Sequence, residues 1–168
     1  NPGKQYHYRL SDDFQWLADV DQPQYAKIAA YSRYPSLHLK SSPLMHQAEF
    51  KTLREALGLT ISTLVKVLDV DERTLRKWES GKKKLPQGVV DSVVAIDTLL
   101  TDTANNLFES LQQTPQDSVV LYRFIEEEDL LEQHPEFEGL PMSSYGVVLF
   151  RVRQKLMDLA MTVSIEYK

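Results

Sequence analysis

The residues able to do chemistry crowd into one short stretch. Glu72, Arg73, Arg76 and Lys77 fall within six consecutive positions. On a helix turning roughly 100° per residue they share one polar face, while Leu75 and Trp78 fall on the opposite side. An arginine on such a face can aim a two-pronged donor at O6 and N7 of guanine. Lysine does similar work as a point charge, and glutamate accepts from N4 of cytosine. Gly81 stops the helix, and Lys82, Lys83 and Lys84 follow it directly. Cations behind a tight turn suit phosphate oxygens, which fix docking on nucleic acid without reading its sequence.

That face has to be held outward by the elements around it. Thr60 is a good N-cap for a helix over Ile61–Leu68. Asp69-Val70-Asp71 makes a tight turn, and Asp71 caps the helix that carries the charged face through Ser80. Two short helices joined by three residues read as a helix-turn-helix. Leu64, Leu68, Val70, Leu75 and Trp78 supply the apolar interface between them. Trp78 could stack on a base, but its apolar position makes it core.

The stretch from Leu53 to Pro86, LREALGLTISTLVKVLDVDERTLRKWESGKKKLP, resembles the Cro/C1-type helix-turn-helix family, the lambda-repressor-like domains. LREALGLT, the spacing of the middle helix and WESGKKKLP carry the resemblance. It implies that Glu72, Arg73, Arg76 and Lys77 face bases and that Lys82 and Lys83 lie near phosphates. It also implies an ion pair between Arg54 and Glu79 that ties the first helix to the reading helix and is structural. This chain departs from the family at three positions. Ile61 replaces a phosphate-contacting glutamine, so Thr60 or Thr63 must take over that contact. Val65 replaces a small residue at a close helix crossing. Asp69 replaces a glycine in the turn, and aspartate tolerates the left-handed region better than most residues. The later segment YRFIEEEDLLEQHPEFEGLP resembles bacterial regulators of anti-CRISPR operons, in which a helix-turn-helix precedes a dimerising α+β tail.

Charge divides the chain in the same way. The net charge is −5, yet residues 45–90 hold 9 basic and 6 acidic side chains, whereas residues 91–168 hold 5 basic and 14 acidic. A polyanion would be drawn to the middle and repelled by the end. Three segments follow: an N-terminal extension over 1–44, a three-helix DNA-binding domain over 45–86, and a dimerisation domain over 87–168. The first segment suggests a strand over Gln5–Leu10, a helix capped by Ser11, and a helix over Gln24–Ser32. Met45 offers an alternative translation start. Residues 87–112 read as one long helix whose stripe Val89, Val93, Ile96, Leu100, Leu107 and Leu111 suits either intrachain core or a helix pair across a dimer axis. Ser118–Ile125 and Thr162–Tyr167 read as strands, with a short helix from the Glu126–Asp129 run, a loop over His134–Pro141, and a helix from Met142 or Ser143 to about Ala160. The expected fold is mainly α with a small α+β C-terminal unit.

Other chemistries find little footing. The chain has no cysteine, so disulfides and thiolate metal sites are excluded. His7, His38, His46 and His134 are scattered without a second ligand at metal-site spacing. The acidic run reads as a solvated face, and Arg151, Arg153 and Lys155 as helix surface. His134 has no nucleophile at readable spacing, so an enzyme is not expected. No apolar run is long enough to cross a bilayer, and Asn1–His7 is too polar for a secretory signal. The expectation is a cytoplasmic, dimeric repressor or autoregulator on a double-stranded DNA operator. No cofactor, metal, membrane or small-molecule effector is expected. The competing reading is a protein-interaction adaptor that uses the same domain without DNA.

Overall fold

Capping residues set the helix starts of the first unit. The structure, a computed structural model, describes residues 45–113 and 117–168; the elements expected within 1–44 lie outside it. His46 caps α1 (Gln47–Ala56), accepting from the Ala48 amide at 3.2 Å. Thr60 caps α2 (Ile61–Leu68) through the Thr63 amide at 3.1 Å. Asp71 caps α3 (Glu72–Glu79) through the Thr74 amide at 2.8 Å. Each cap satisfies a donor that the helix itself leaves without a partner. Between α2 and α3, Asp69 sits at φ 51°, ψ 50°, the left-handed conformation the turn requires. Phe50, Leu64, Leu68, Leu75 and Trp78 are buried where the three helices meet. Val70 is only half-buried.

Pro86 leads into α4 (Gln87–Gln112). Val89, Val93, Ile96 and Leu100 are buried, and they face Val148, Leu149, Val152 and Leu156 of α6 (Met142–Asp158) in one continuous core. Polar ties flank this seam. Arg151 donates to Asp97 and to Thr101, both at 2.8 Å, and Lys155 bonds Asn105 beside the Phe108 ring. Arg151 and Lys155 are therefore interhelical braces rather than bare surface. This resolves the two uses open to the α4 stripe. Its buried half is consumed within the chain and cannot also be the seam of a helix pair between copies.

β1 (Ser118–Arg123) and β2 (Thr162–Tyr167) form a two-stranded parallel sheet, with Ser118 opposite Thr162 and Arg123 opposite Tyr167. Parallel neighbours need a crossover. Here it comprises α5 (Glu127–Gln133), a 3₁₀ turn (Pro135–Phe137) and α6. The stretch expected as a plain loop thus contains one turn of helix. Val119 and Leu121 are buried beneath the sheet, while Val120 and Tyr122 point away and are exposed.

The three-helix unit and α6 are riveted at one corner. Ser143 donates its hydroxyl to the Gly58 carbonyl at 2.6 Å, and Ser144 donates to the Leu57 carbonyl at 2.8 Å. Gly58 has φ +72°, and a Cβ there would stand 2.9 Å from the Ser143 backbone. Only glycine suits both the left-handed backbone and the close approach.

Candidate nucleic-acid interface

α3 is too short to hold its own orientation, so its last turn is anchored. Arg54 and Glu79 are both buried at the side chain, 6% and 8% exposed, and Arg54 Nε donates to Glu79 Oε1 at 2.5 Å. Arg54 Nη1 donates to the Leu59 carbonyl at 2.7 Å, and Nη2 reaches Glu55 at 3.2 Å. The guanidinium therefore cross-links α1, the α1–α2 corner and α3. Leu75 and Trp78 fix the inner side of α3. The Trp78 indole N–H is buried without a hydrogen-bond partner, so this side chain is core and offers no ring face to a base.

With the inner side fixed, Glu72, Arg73, Arg76 and Lys77 all project outward and are exposed. Together with Ser80 and Lys82 they line one shallow open depression. Arg76 donates through Nε and Nη2 to Glu72 Oε1, at 2.8 and 2.6 Å. This ion pair is solvent-exposed and contributes little to stability. It does occupy one edge of the guanidinium, leaving the Nη1/Nη2 end open to a base edge. At the start of α3, Asp71 accepts from the Thr74 hydroxyl at 2.7 Å and from its amide. The Thr74 hydroxyl first, then the amide, holds the Asp71 carboxyl below the usual carboxylate range.

The three lysines behind α3 do not form one patch. Lys82 borders the charged depression and a neighbouring one lined by Lys51, Arg76, Glu79 and Ser80. Lys83 lies on another side, with Asp69, Asp71, Thr74 and Trp78. Lys84 is exposed. Lys51, on the exposed side of α1, carries no signal in the sequence; only the packing of α1 on α3 places it beside Arg76 and Lys82. Thr60 and Thr63 are coupled, since the Thr63 hydroxyl donates to the Thr60 carbonyl at 3.0 Å and the two hydroxyls lie 3.1 Å apart. They stand at the open N-terminus of α2, where unpaired amides favour an anion. Ile61 is half-buried and packs on the core.

A second polar cluster lies far along the sequence. His134 Nδ1 is 3.0 Å from Glu136, its Nε2 is 3.4 Å from the Tyr145 hydroxyl, and Phe124 and Phe137 enclose the ring. Burial, with Glu136 adding to it, pushes the Tyr145 phenol up to about 12. That is the opposite of an activated nucleophile, and the cluster reads as a polar core joint. Among the described residues no group of histidines and carboxylates is arranged to hold a metal ion, and no helix is long and apolar enough to cross a membrane. No protein-family model matches the chain, and no curated protein matches its sequence.

Proposed function

We propose that the chain is a sequence-specific DNA-binding regulator, a repressor or autoregulator, whose α2–α3 pair acts as a helix-turn-helix and which works as a homodimer on an operator of two half-sites. The observation that carries this is the division of α3. Leu75 and Trp78 are sunk in the core, Glu79 is clamped by Arg54, and the four remaining charged side chains stand outward around Ser80 and Lys82. This anchoring fixes the direction in which the charged face points. Arg73, Arg76, Lys77 and Glu72 read base edges in the major groove; Lys82, Lys51 and the N-terminus of α2 meet phosphates. A single three-helix unit buries little surface on DNA, and two units about one helical turn apart on one face read a palindrome. The acidic residues, concentrated after position 90, keep the rest of the molecule off the duplex.

The test is binding of the full chain to random and to selected duplexes across a salt series. A steep fall of affinity with salt on random DNA, and a much tighter selected site, are the expected results. No binding to either duplex at low salt would hand first place to the adaptor reading.

A further inference from the structure

A two-stranded sheet is marginal by itself, and among the described residues no strand lies beside the edge of β2 that faces away from β1. The direction of that edge follows from its hydrogen bonds. The Thr162 amide donates to the Asp117 carbonyl at 3.1 Å and the Lys168 amide to the Arg123 carbonyl at 3.0 Å. Backbone groups alternate along a strand, so Thr162, Ser164 and Glu166 point theirs at β1. Val163, Ile165 and Tyr167 therefore point their N–H and C=O groups away from β1. The same three share a side-chain face with buried Val119 and Leu121, their neighbours in register, or with Arg123. Yet Ile165 is 40% and Tyr167 71% exposed. Among the described residues, the large apolar side chains that remain exposed all lie beyond Asp117, with none on the three-helix unit or α4.

We infer that β2 pairs antiparallel with β2 of a second copy, about a two-fold axis through Ile165, to give a continuous four-stranded sheet. The inference rests on the homodimer reading above and names its surface. The register follows from parity. An odd offset would set outward-pointing groups against groups already bonded to β1, and would put the apolar face of one copy beside the polar face of the other. Centring on Ile165 pairs Ile165 with itself and Val163 with Tyr167 of the other copy. All three outward-pointing residues of the strand then find hydrogen-bonded partners. Their side chains continue one apolar face across the axis. Four strands also pass the point at which a sheet with one apolar face is stable. The acidity of the C-terminal half does not oppose this. Its Glu126–Asp129 run and Glu132, Glu136 and Glu138 lie on the crossover, while Glu166 within β2 accepts from the Ser164 hydroxyl of its own strand and in this register stands opposite Ser164 of the other copy, not opposite another carboxylate.

The chain has no cysteine, so one introduced thiol reports its own neighbours. Opposed residues in a hydrogen-bonded antiparallel pair lie about 5.5 Å apart at Cα, within disulfide reach. Ile165→Cys should therefore form a covalent dimer under mild oxidant, reversed by reductant. Ser164→Cys should not, because its counterpart sits diagonally at about 8 Å. Sedimentation of the full-length protein accompanies both variants. Ile165→Arg, checked for folding by circular dichroism, should raise the dimer dissociation constant at least ~10-fold. A dimer that links through Ser164→Cys but not Ile165→Cys overturns this register while keeping the strand, and one that links through neither overturns the surface; both leave the homodimer reading standing. A monomer at tens of micromolar overturns both. A monomer in which the Ile165→Cys thiol resists a thiol reagent overturns the pairing in favour of a cover from within the same chain.

Discussion

Removing the Glu79 carboxylate should destabilise the protein through Arg54, and the size of the effect follows from its surroundings. Arg54 is 5% exposed overall, with its Nε on Glu79 at 2.5 Å and its Nη1 on the Leu59 carbonyl at 2.7 Å. Glu79→Ala leaves the guanidinium buried, facing only a carbonyl and the half-exposed Glu55. Orphaning one member of a buried pair costs about 3–5 kcal/mol. The two surviving partners argue for the lower end, about 3 kcal/mol. For a chain of this size that corresponds to a fall in Tm of about 6–12 °C. The double variant Arg54→Met, Glu79→Leu should recover most of the loss, because an apolar pair of similar volume is often nearly neutral at such a site. Thermal and urea unfolding of the three variants measures this. An unchanged Tm for Glu79→Ala, with DNA binding lost, would overturn the clamp and make Glu79 a contact residue.

Three further outcomes are expected. Arg76→Ala should cost about 1–3 kcal/mol on the selected site and relax the preference at one base pair, whereas Lys82→Ala and Lys51→Ala should weaken selected and random DNA alike and lower the salt slope by about one each; equal losses everywhere for Arg76→Ala would mean that α3 does not enter the groove. Gly58→Ala forces a Cβ against the Ser143 backbone at a positive φ; a loss of about 1–3 kcal/mol in urea unfolding is expected, and wild-type stability would show that the corner gives way cheaply. The Tyr145 phenol is raised in the folded state by burial. Its contribution is therefore intact below its ordinary value of 10 and is lost as pH rises from there through about 12. Tyr145→Phe should flatten that alkaline decline, and an identical decline in the variant would remove Tyr145 as its cause.

Local features are the readable ones. Thr60 and Asp71 act within one turn of themselves, and Asp69 adopts a conformation that few other residues tolerate, so three residue types suffice to place α2, its turn and α3. The Arg54–Glu79 pair spans 25 positions and is legible only through a family resemblance. The sheet strands show in their β-branched and aromatic composition, but their parallel pairing across the α5–α6 crossover does not. Lys51 escapes a reading of the sequence because its neighbours Arg76 and Lys82 are brought to it by packing alone. The stripe on α4 is ambiguous for a related reason. Periodicity shows that a face is buried without showing against what. The helix that covers Ile96 and Leu100 begins only at Met142, beyond the whole of β1 and α5.

On the proposed function, the rivet at Gly58, Ser143 and Ser144 would make the protein a caliper. It couples the corner between α1 and α2 to the first turn of α6, and α6 leads through a short turn into β2. In a two-fold dimer joined at β2, the separation of the two reading heads would be set by a stiff lever instead of a tether. Each base pair added between half-sites turns the second one by roughly 35° and shifts it by roughly 3.4 Å. A caliper of fixed jaw cannot follow that change, so operators with a single-base insertion should be rejected outright, and loosening the corner should be the simplest way for the protein to accept them.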